Sequence, residues 1–177
     1  MLSRDTANLI NPGLVHVLWG MCKDFGANGL RVGAIISQCL SLYSFVSSMS
    51  DQITASILKD DAFTDRYIQT NQEMLAQSHE FLVHILDMHG IDYSHGCNAG
   101  FFLWVNLGKK YLQSHPRAAE QGIELTELIF EKLLEHKVYV AHGITYGSES
   151  PGWFRVVFSH PRPWLEEAMQ RILDAII

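Results

Sequence analysis

Residues 19–33 read WGMCKDFGANGLRVG, and this stretch decides how the chain is interpreted. Lys23 follows an apolar run, glycines recur at positions 26, 29 and 33, and Arg31 stands eight positions after the lysine. A lysine near another cation in a dry pocket loses its proton more readily and becomes a nucleophile. Arginine offers a planar pair of donors that suits a phosphate. The pattern fits a covalently held, phosphate-bearing aldehyde, and it equally fits a surface turn with two ordinary basic residues.

The segments around this stretch predict strands on both sides of it. Residues 14–19 and 30–36 are short apolar runs bounded by glycine, which are typical of buried strands in a covered sheet. Farther along, residues 64–89 have apolar positions at helical spacing, and Gly90 is placed to end that helix.

The remaining elements alternate between strands and helices. Residues 51–60 predict a helix with Ser50 and Asp51 as its cap. The C-terminal elements are strands over 101–107, 138–142 and 153–159, a helix over 122–136, and a helix after Pro163. This order predicts an α/β or α+β layered domain.

Composition excludes several classes of function. The chain has 177 residues, 13 basic and 19 acidic side chains and a net charge of −6, which disfavours nucleic-acid binding because that binding depends on basic residues. No run approaches the roughly 18 consecutive apolar residues of a membrane span, and the N-terminus lacks the apolar segment of a secretory signal. Three isolated cysteines disfavour a disulfide scaffold or a zinc site, so we expect the protein to reside in the reducing cytoplasm.

The lysine segment resembles the active-site region of fold-type I, pyridoxal-phosphate-dependent class I/II aminotransferases, in particular the 1-aminocyclopropane-1-carboxylate (ACC) synthase branch and its fungal relatives. That family has a Ser-x-Ser-Lys-Asp-x-Gly-x-x-Gly-x-Arg-Val-Gly pattern. The matching residues are Lys23, Asp24, Gly26, Gly29, Arg31, Val32 and Gly33. The resemblance implies that Lys23 bonds to pyridoxal 5'-phosphate and carries the substrate's α-proton, and that Arg31 binds the cofactor phosphate.

A second match lies at residues 150–158, which read SPGWFRVVF. In the family a Pro-Gly-Trp-Phe-Arg string carries the arginine that holds the substrate's α-carboxylate, and Arg155 occupies that place. Such a pair orients and selects an amino acid. The alternative is a strand arginine that faces solvent. Residues 98–105 also resemble a strand of the family's small domain, so the resemblance runs along almost the whole chain.

The sequence departs from the family in three ways. It resembles only the C-terminal portion, so residues 1–45 are interpreted as a remnant of the cofactor-binding large domain and residues 46–177 as the small domain. The family's contacts to the cofactor ring, above all an aspartate on the pyridine nitrogen, cannot be assigned here. Gly20 and Cys22 replace common hydroxyl residues, and a short segment is missing after Ser37.

Histidines offer weaker candidates. His79, His84 and His89 recur every five residues, which places them on different helix faces rather than at the i, i+4 spacing of metal ligands. We therefore expect surface histidines and no metal site. His142 precedes a glycine near a strand end, and it is interpreted as a loop histidine or a residue beside a pocket.

Three functions remain open from the sequence. One is a truncated aminotransferase-like or ACC-synthase-like enzyme of small-molecule biosynthesis that acts on an amino-acid-like substrate. Another is a repurposed, non-catalytic domain that binds a different ligand or a protein. The last is a fragment with no activity of its own. In the first two cases we expect a homo-oligomer or another chain over the apolar faces that the missing portion would cover, with no nucleic-acid or membrane partner.

Overall fold

The computed structural model describes residues 11, 16–36, 46–118 and 124–177 in full and residues 119–120 by their backbone. The chain divides into two compact units, Met1–Thr70 and Asn71–Ile177. The expected difference from the family after Ser37 concerns residues outside this description. The division into a large-domain remnant and a small domain at residue 45 stays a prediction.

The first unit contains a small antiparallel ribbon and helices. The elements are β1 Val17–Gly20, α1 Met21–Asp24, a 3-10 turn Asn28–Leu30, β2 Gly33–Ile36, α2 Ser48–Leu58 and the first turns of α3 Asp61–Met88. The strands β1 and β2 pair in the register Gly20↔Gly33 to Val17↔Ile36.

Two strands are present here, as predicted, but the prediction that they are buried is wrong. Leu18 is 74% exposed, and all four residues of β2 are exposed, including Ile35 and Ile36. The two strands pair only with each other, so no further strand of the described chain covers either edge. The strands are also shorter than predicted, and residues 14–15 lie outside the description.

The helix predicted over 51–60 begins earlier than expected. The structure places α2 at Ser48–Leu58, and the N-cap is Ser47, whose hydroxyl accepts the backbone N–H of Ser50 at 3.2 Å. The prediction of Ser50 and Asp51 as the cap is therefore wrong. Several serines precede this helix, and sequence alone does not say which hydroxyl reaches a free N–H group.

The long helix α3 confirms the periodicity of residues 64–89. Leu82 and Leu86 are buried on one of its faces. The helix ends at Gly90, which has a φ of 61°. The N–H groups of Gly90 and Ile91 donate hydrogen bonds to the carbonyls of Asp87 and Leu86 in its last turn. This arrangement requires a left-handed residue, which glycine supplies without steric cost.

The second unit is a four-stranded antiparallel sheet with helices. The strands are β3 Asp92–Tyr93, β4 Phe102–Asn106, β5 Ala141–His142 and β6 Trp153–Val157. Their order in the sheet is β3-β4-β6-β5. The strands predicted over 101–107 and 153–159 are confirmed, whereas only two residues of 138–142 pair as a strand.

Helices pack on one face of this sheet. They are α4 Leu107–Ser114, α5 Leu125–Glu135 and α6 Arg162–Ile176, with 3-10 turns at Pro116–Glu120 and Ile144–Tyr146. Alternate residues of β4 and β6 are buried, and they share a core with the helices; the members include Leu103, Val105, Phe154, Val156, Ile129, Leu133, Met169 and Ile172. The mixed helix and sheet architecture confirms the predicted fold class. Helix α4 was not predicted.

Glu124 caps the start of α5. Its Oε2 atom accepts the backbone N–H of Glu127 at 2.9 Å. Burial alone would raise the pKa of this carboxyl, but hydrogen bonds from the Thr126 side chain and from backbone N–H groups outweigh it and hold the pKa below its usual value. The ionised carboxylate therefore stabilises the first turn.

We expect Glu124→Ala to lower the free energy of unfolding by about 1 kcal/mol at neutral pH, whereas Glu124→Ser should keep most of the cap. Because the folded-state pKa is lowered, the stabilisation is present above the unfolded pKa and is lost as the pH falls through the folded pKa. Urea unfolding at several pH values measures this. A gap between wild type and Glu124→Ala that does not narrow in acid would contradict the assignment.

Candidate functional site

The lysine segment forms a closed loop between β1 and β2. Gly20 and Gly33 pair at the ends of the two strands, and the N–H of Met21 donates to the carbonyl of Val32 at 3.1 Å. The side chain of Met21 is fully buried, and the Thr54 hydroxyl lies 3.3 Å from its sulfur. Residues 21–32 are thus anchored at their base.

Lys23 lies on the single helical turn α1, at the start of this loop, and its side chain is exposed. The next residue, Asp24, accepts a hydrogen bond from the indole Nε1 of Trp19 at 2.5 Å. This bond ties the helical turn to the strand before it. The lysine therefore lies just past the end of a strand, as the sequence predicted, and the helical turn that carries it was not predicted.

Arg31 stands at the other end of the same loop, directly after the 3-10 turn. Its φ of 53° and ψ of 42° place it in the left-handed region. A side chain in this region costs on the order of 1 kcal/mol, and such strained residues concentrate at functional sites. The loop therefore holds an amine and a guanidinium, the two groups that a phosphate-bearing aldehyde would need.

Gly33 is the first residue of β2 and pairs with Gly20 at the end of β1. A Cβ atom there would lie 2.9 Å from the carbonyl oxygen of Trp19 on the neighbouring strand. The glycine therefore permits the close pairing of β1 and β2 at the base of the loop.

Arg155 lies in the second unit, on the central strand β6. Its Cα partner on β4 is Trp104 and its partner on β5 is Ala141. The guanidinium carbon lies 4.0 Å from the ring centre of Tyr146 and 5.1 Å from that of Phe102. The arginine is half-buried and lies on the sheet face opposite the core.

The Nε atom of Arg155 is buried and has no hydrogen-bond partner among the described residues. A buried charged donor without a partner is costly, so such a group marks a position where a ligand acceptor would be favourable. The two aromatic rings hold the guanidinium by cation–π contact. A planar arginine held in this way can bind a carboxylate through two parallel hydrogen bonds.

The turn before β6 fixes the position of Arg155. Gly152 has a φ of 80°, and a Cβ atom on it would lie 2.6 Å from the Cα of Gly108 at the start of α4. Its N–H donates to the buried Thr126 hydroxyl at 2.9 Å, and its carbonyl accepts the N–H of Gly108 at 3.0 Å. The glycine of the SPGWFR motif is therefore required by packing.

The structure places the predicted residues in two groups. Lys23 and Arg31 belong to the first unit, and Arg155 belongs to the second. Sequence reasoning missed Tyr146 and Phe102, which flank Arg155. Phe102 was detectable in principle, because strand alternation puts it on the same face as Trp104. Tyr146 lies in a 3-10 turn, for which no periodicity gives a signal.

The histidines have structural contacts. His79 packs edge-on against Phe158, and His142 on β5 lies 3.9 Å from the ring centre of Phe130. His142 is thus a packed strand residue, and the prediction of a loop histidine is wrong. Within the described ranges, no group of three metal-ligating side chains could hold an ion. None of the helices described there has the length and apolar character that a membrane crossing requires.

Comparison with known proteins gives consistent results along the chain. A family model for "Aminotransferase class I and II" matches residues 3–172. The mouse "1-aminocyclopropane-1-carboxylate synthase-like protein 1" is 34% identical over 179 residues, which cover 95% of this chain and 34% of the mouse protein. The human "Probable inactive 1-aminocyclopropane-1-carboxylate synthase-like protein 2" is 30% identical over 179 residues, which cover 96% of this chain and 30% of the human protein. The chain thus spans about a third of the length of these curated relatives.

A solved structure agrees with the fold. The "PLP-bound C-S lyase from Staphylococcus hominis" superposes with a TM-score of 0.73, covering 91% of this chain and 42% of the lyase. Only 16% of the aligned residues are identical. At that identity the likeness shows the fold alone.

We expect Gly152→Ala to destabilise the protein by about 2–4 kcal/mol, because it adds backbone strain and a clash with Gly108. Gly147→Ala is a matched control. Gly147 has a φ of 81°, but a Cβ atom there meets no atom within 4 Å. Thermal or urea unfolding of both variants separates strain from packing. Equal losses in the two variants would contradict the packing role of Gly152.

Proposed function

Since the chain belongs to the aminotransferase class I and II family, in its ACC-synthase-like branch, we propose that residues 1–177 form part of a pyridoxal-phosphate-dependent enzyme that acts on an α-amino acid. The observation that carries this proposal is the closed loop of residues 21–32, which bears both Lys23 and Arg31. The donor set fits the cofactor, because an amine can hold its aldehyde and a guanidinium can hold its phosphate.

In this proposal the three basic residues have separate tasks. Lys23 holds the cofactor aldehyde and moves the proton at the substrate's α-carbon. Arg31 binds the dianionic phosphate, and its strained backbone is maintained by the loop. The cofactor, when bound, supplies an electron sink for the electron pair that remains on the substrate's α-carbon when the proton leaves.

Arg155 is proposed to bind the α-carboxylate of the substrate. Its unpartnered Nε atom and the flanking rings of Tyr146 and Phe102 support this role. A carboxylate would supply the acceptor that this buried donor lacks among the described residues. The two-pronged contact would orient the amino acid and discriminate against simple amines.

The contacts to the pyridine ring are proposed to come from other polypeptide, which is a segment continuous with this chain, a second copy of the chain or another protein. The exposed apolar side chains of the β1–β2 ribbon support this. Leu18, Ile35 and Ile36 are 74%, 43% and 53% exposed. Leu18 and Ile35 are directly paired and share one face of the ribbon, whereas Ile36 lies on the other face. Paired apolar side chains at such exposure are typical of a surface that another segment covers.

A second candidate function is reversible binding of a phosphate-bearing molecule without pyridoxal chemistry. The exposure of both basic side chains favours it, because charge pairing with a phosphate does not require the dry pocket that makes a lysine nucleophilic. In this case Lys23 and Arg31 bind an anion by charge alone, and no covalent bond forms.

Borohydride reduction after incubation with pyridoxal phosphate tests the proposal. We expect one cofactor adduct per chain, mapped by mass spectrometry to Lys23 and absent from Lys23→Ala. Lys59→Ala, an exposed lysine of the same unit, should react like wild type. Arg31→Ala should raise the cofactor concentration for half-maximal reaction about tenfold, which corresponds to the loss of about 1.4 kcal/mol of binding. Adducts spread over several lysines would refute the covalent site.

We expect Arg155→Lys in the cofactor-loaded chain to raise the half-saturating concentration of L-amino acids about tenfold, because lysine keeps the charge but loses the two-pronged geometry. The absorbance of the cofactor reports binding across a panel of amino acids. The corresponding decarboxylated amines should bind equally to both proteins, and Arg117→Lys should behave as wild type. An equal effect on amines and amino acids would contradict a carboxylate contact.

A further inference from the structure

A cleft of about 740 Å³ opens at one edge of the sheet in the second unit. It exists because β5 is only two residues long. The register between β5 and β6 pairs Ala141 with Arg155 and His142 with Phe154, and it stops before Val156 and Val157. Residues 137–140 therefore run past β6 without pairing, and α6 forms the other wall. The volume is within the range of small-molecule sites.

The lining of the cleft is apolar and includes two unusually exposed aromatic rings. Tyr139 is 78% exposed and Trp164 is 69% exposed. Each ring has a neighbour that supports it, since Tyr139 packs edge-on against Phe130 and Trp164 stacks on His160. Rings that are held in place but largely exposed lose little conformational entropy when a flat ligand covers them.

The charges around the cleft are predominantly positive. Lys137, Arg155 and Arg171 contribute cations, and Glu167 is the one carboxylate that lines it. Glu167 and Arg171 form an ion pair at 2.8 Å. The guanidinium of Arg155 lies between Tyr146 and Phe102 on the open face of the sheet, so Lys137 supplies the cation for a ligand in the cleft. The whole chain has a net charge of −6. The lining of the cleft is thus positive although the protein as a whole is negative, which favours an anionic ligand in the cleft.

Lys137 has a backbone conformation that would favour glycine. It has a φ of 60° at the end of α5, where the N–H groups of Lys137 and Val138 turn back onto the carbonyls of Leu134 and Leu133. Glycine is the residue that most often occupies this position of a helix end. A strained, non-glycine residue points to a function of its side chain, and Lys137 is one of the residues that line the cleft.

We propose that this cleft binds a small monocarboxylate with a flat aromatic body. The ring lies against Tyr139 and Trp164, and the carboxylate pairs with the ammonium group of Lys137. This binding needs neither pyridoxal phosphate nor Lys23, so it goes beyond the function proposed above and can fail or succeed independently of it.

Three ligands with one skeleton and different charges test the proposal. Equilibrium dialysis of the full chain, without cofactor, compares cinnamate, cinnamamide and cinnamylamine. We expect saturable binding of one cinnamate per chain, weaker binding of the amide by about fivefold, and the weakest binding of the amine. Non-specific attraction to an acidic protein would give the opposite order. No saturable binding, or the same affinity for all three ligands, would overturn the proposal.

Lys137→Gly separates the side chain's function from its contribution to folding. We expect the variant to be at least as stable as wild type, because glycine removes the strain, and to bind cinnamate about fivefold more weakly, at the level of cinnamamide. Lys109→Gln, which removes a charge outside the cleft, should bind like wild type. Trp164→Ala should weaken cinnamate and cinnamamide alike. Unchanged cinnamate binding in Lys137→Gly would refute the site.

Discussion

Two glycines, Gly108 and Gly152, meet at the junction between α4 and the turn before β6, and the second unit is organised around this approach. Neither position has room for a Cβ atom. The Thr126 hydroxyl completes the junction from α5 by accepting the buried N–H of Gly152. Three elements that are distant in sequence are thereby joined. Arg155 follows the turn by three residues and lies on the open face of the sheet. The chemistry proposed for Arg155 therefore depends on a backbone contact between two glycines.

The sequence predicted elements best where one periodicity is sustained over many residues. The 28 residues of α3 and the alternation in β4 and β6 are of this kind. Helix α4 was missed because it is short and starts directly from the strand, so Leu107 continues an apolar strand pattern while it already begins the helix. The burial of β1 and β2 was predicted incorrectly, since apolar runs indicate a strand but do not say what covers it.

The candidate site shows a similar division. Lys23, Arg31 and Arg155 could be proposed as site residues because their motifs are contiguous in sequence, and the membership of the family that those motifs suggested is confirmed. The rings of Phe102 and Tyr146 around Arg155 depend on the register of β4 with β6 and on the path of a 3-10 turn. Such relations arise from pairing between strands, which a single sequence does not encode locally. The cleft beside Lys137 was likewise invisible, because it results from the early end of β5.

Arg31 and Lys137 share one backbone feature with a consequence for how this protein tolerates change. Both have a positive φ without being glycine. In a library screened only for folded protein, glycine should therefore be enriched at these two positions. In a library screened for ligand binding, it should be depleted. The frequency of glycine at these two positions therefore distinguishes selection on stability from selection on function. The comparison does not require the chemical identity of the ligand.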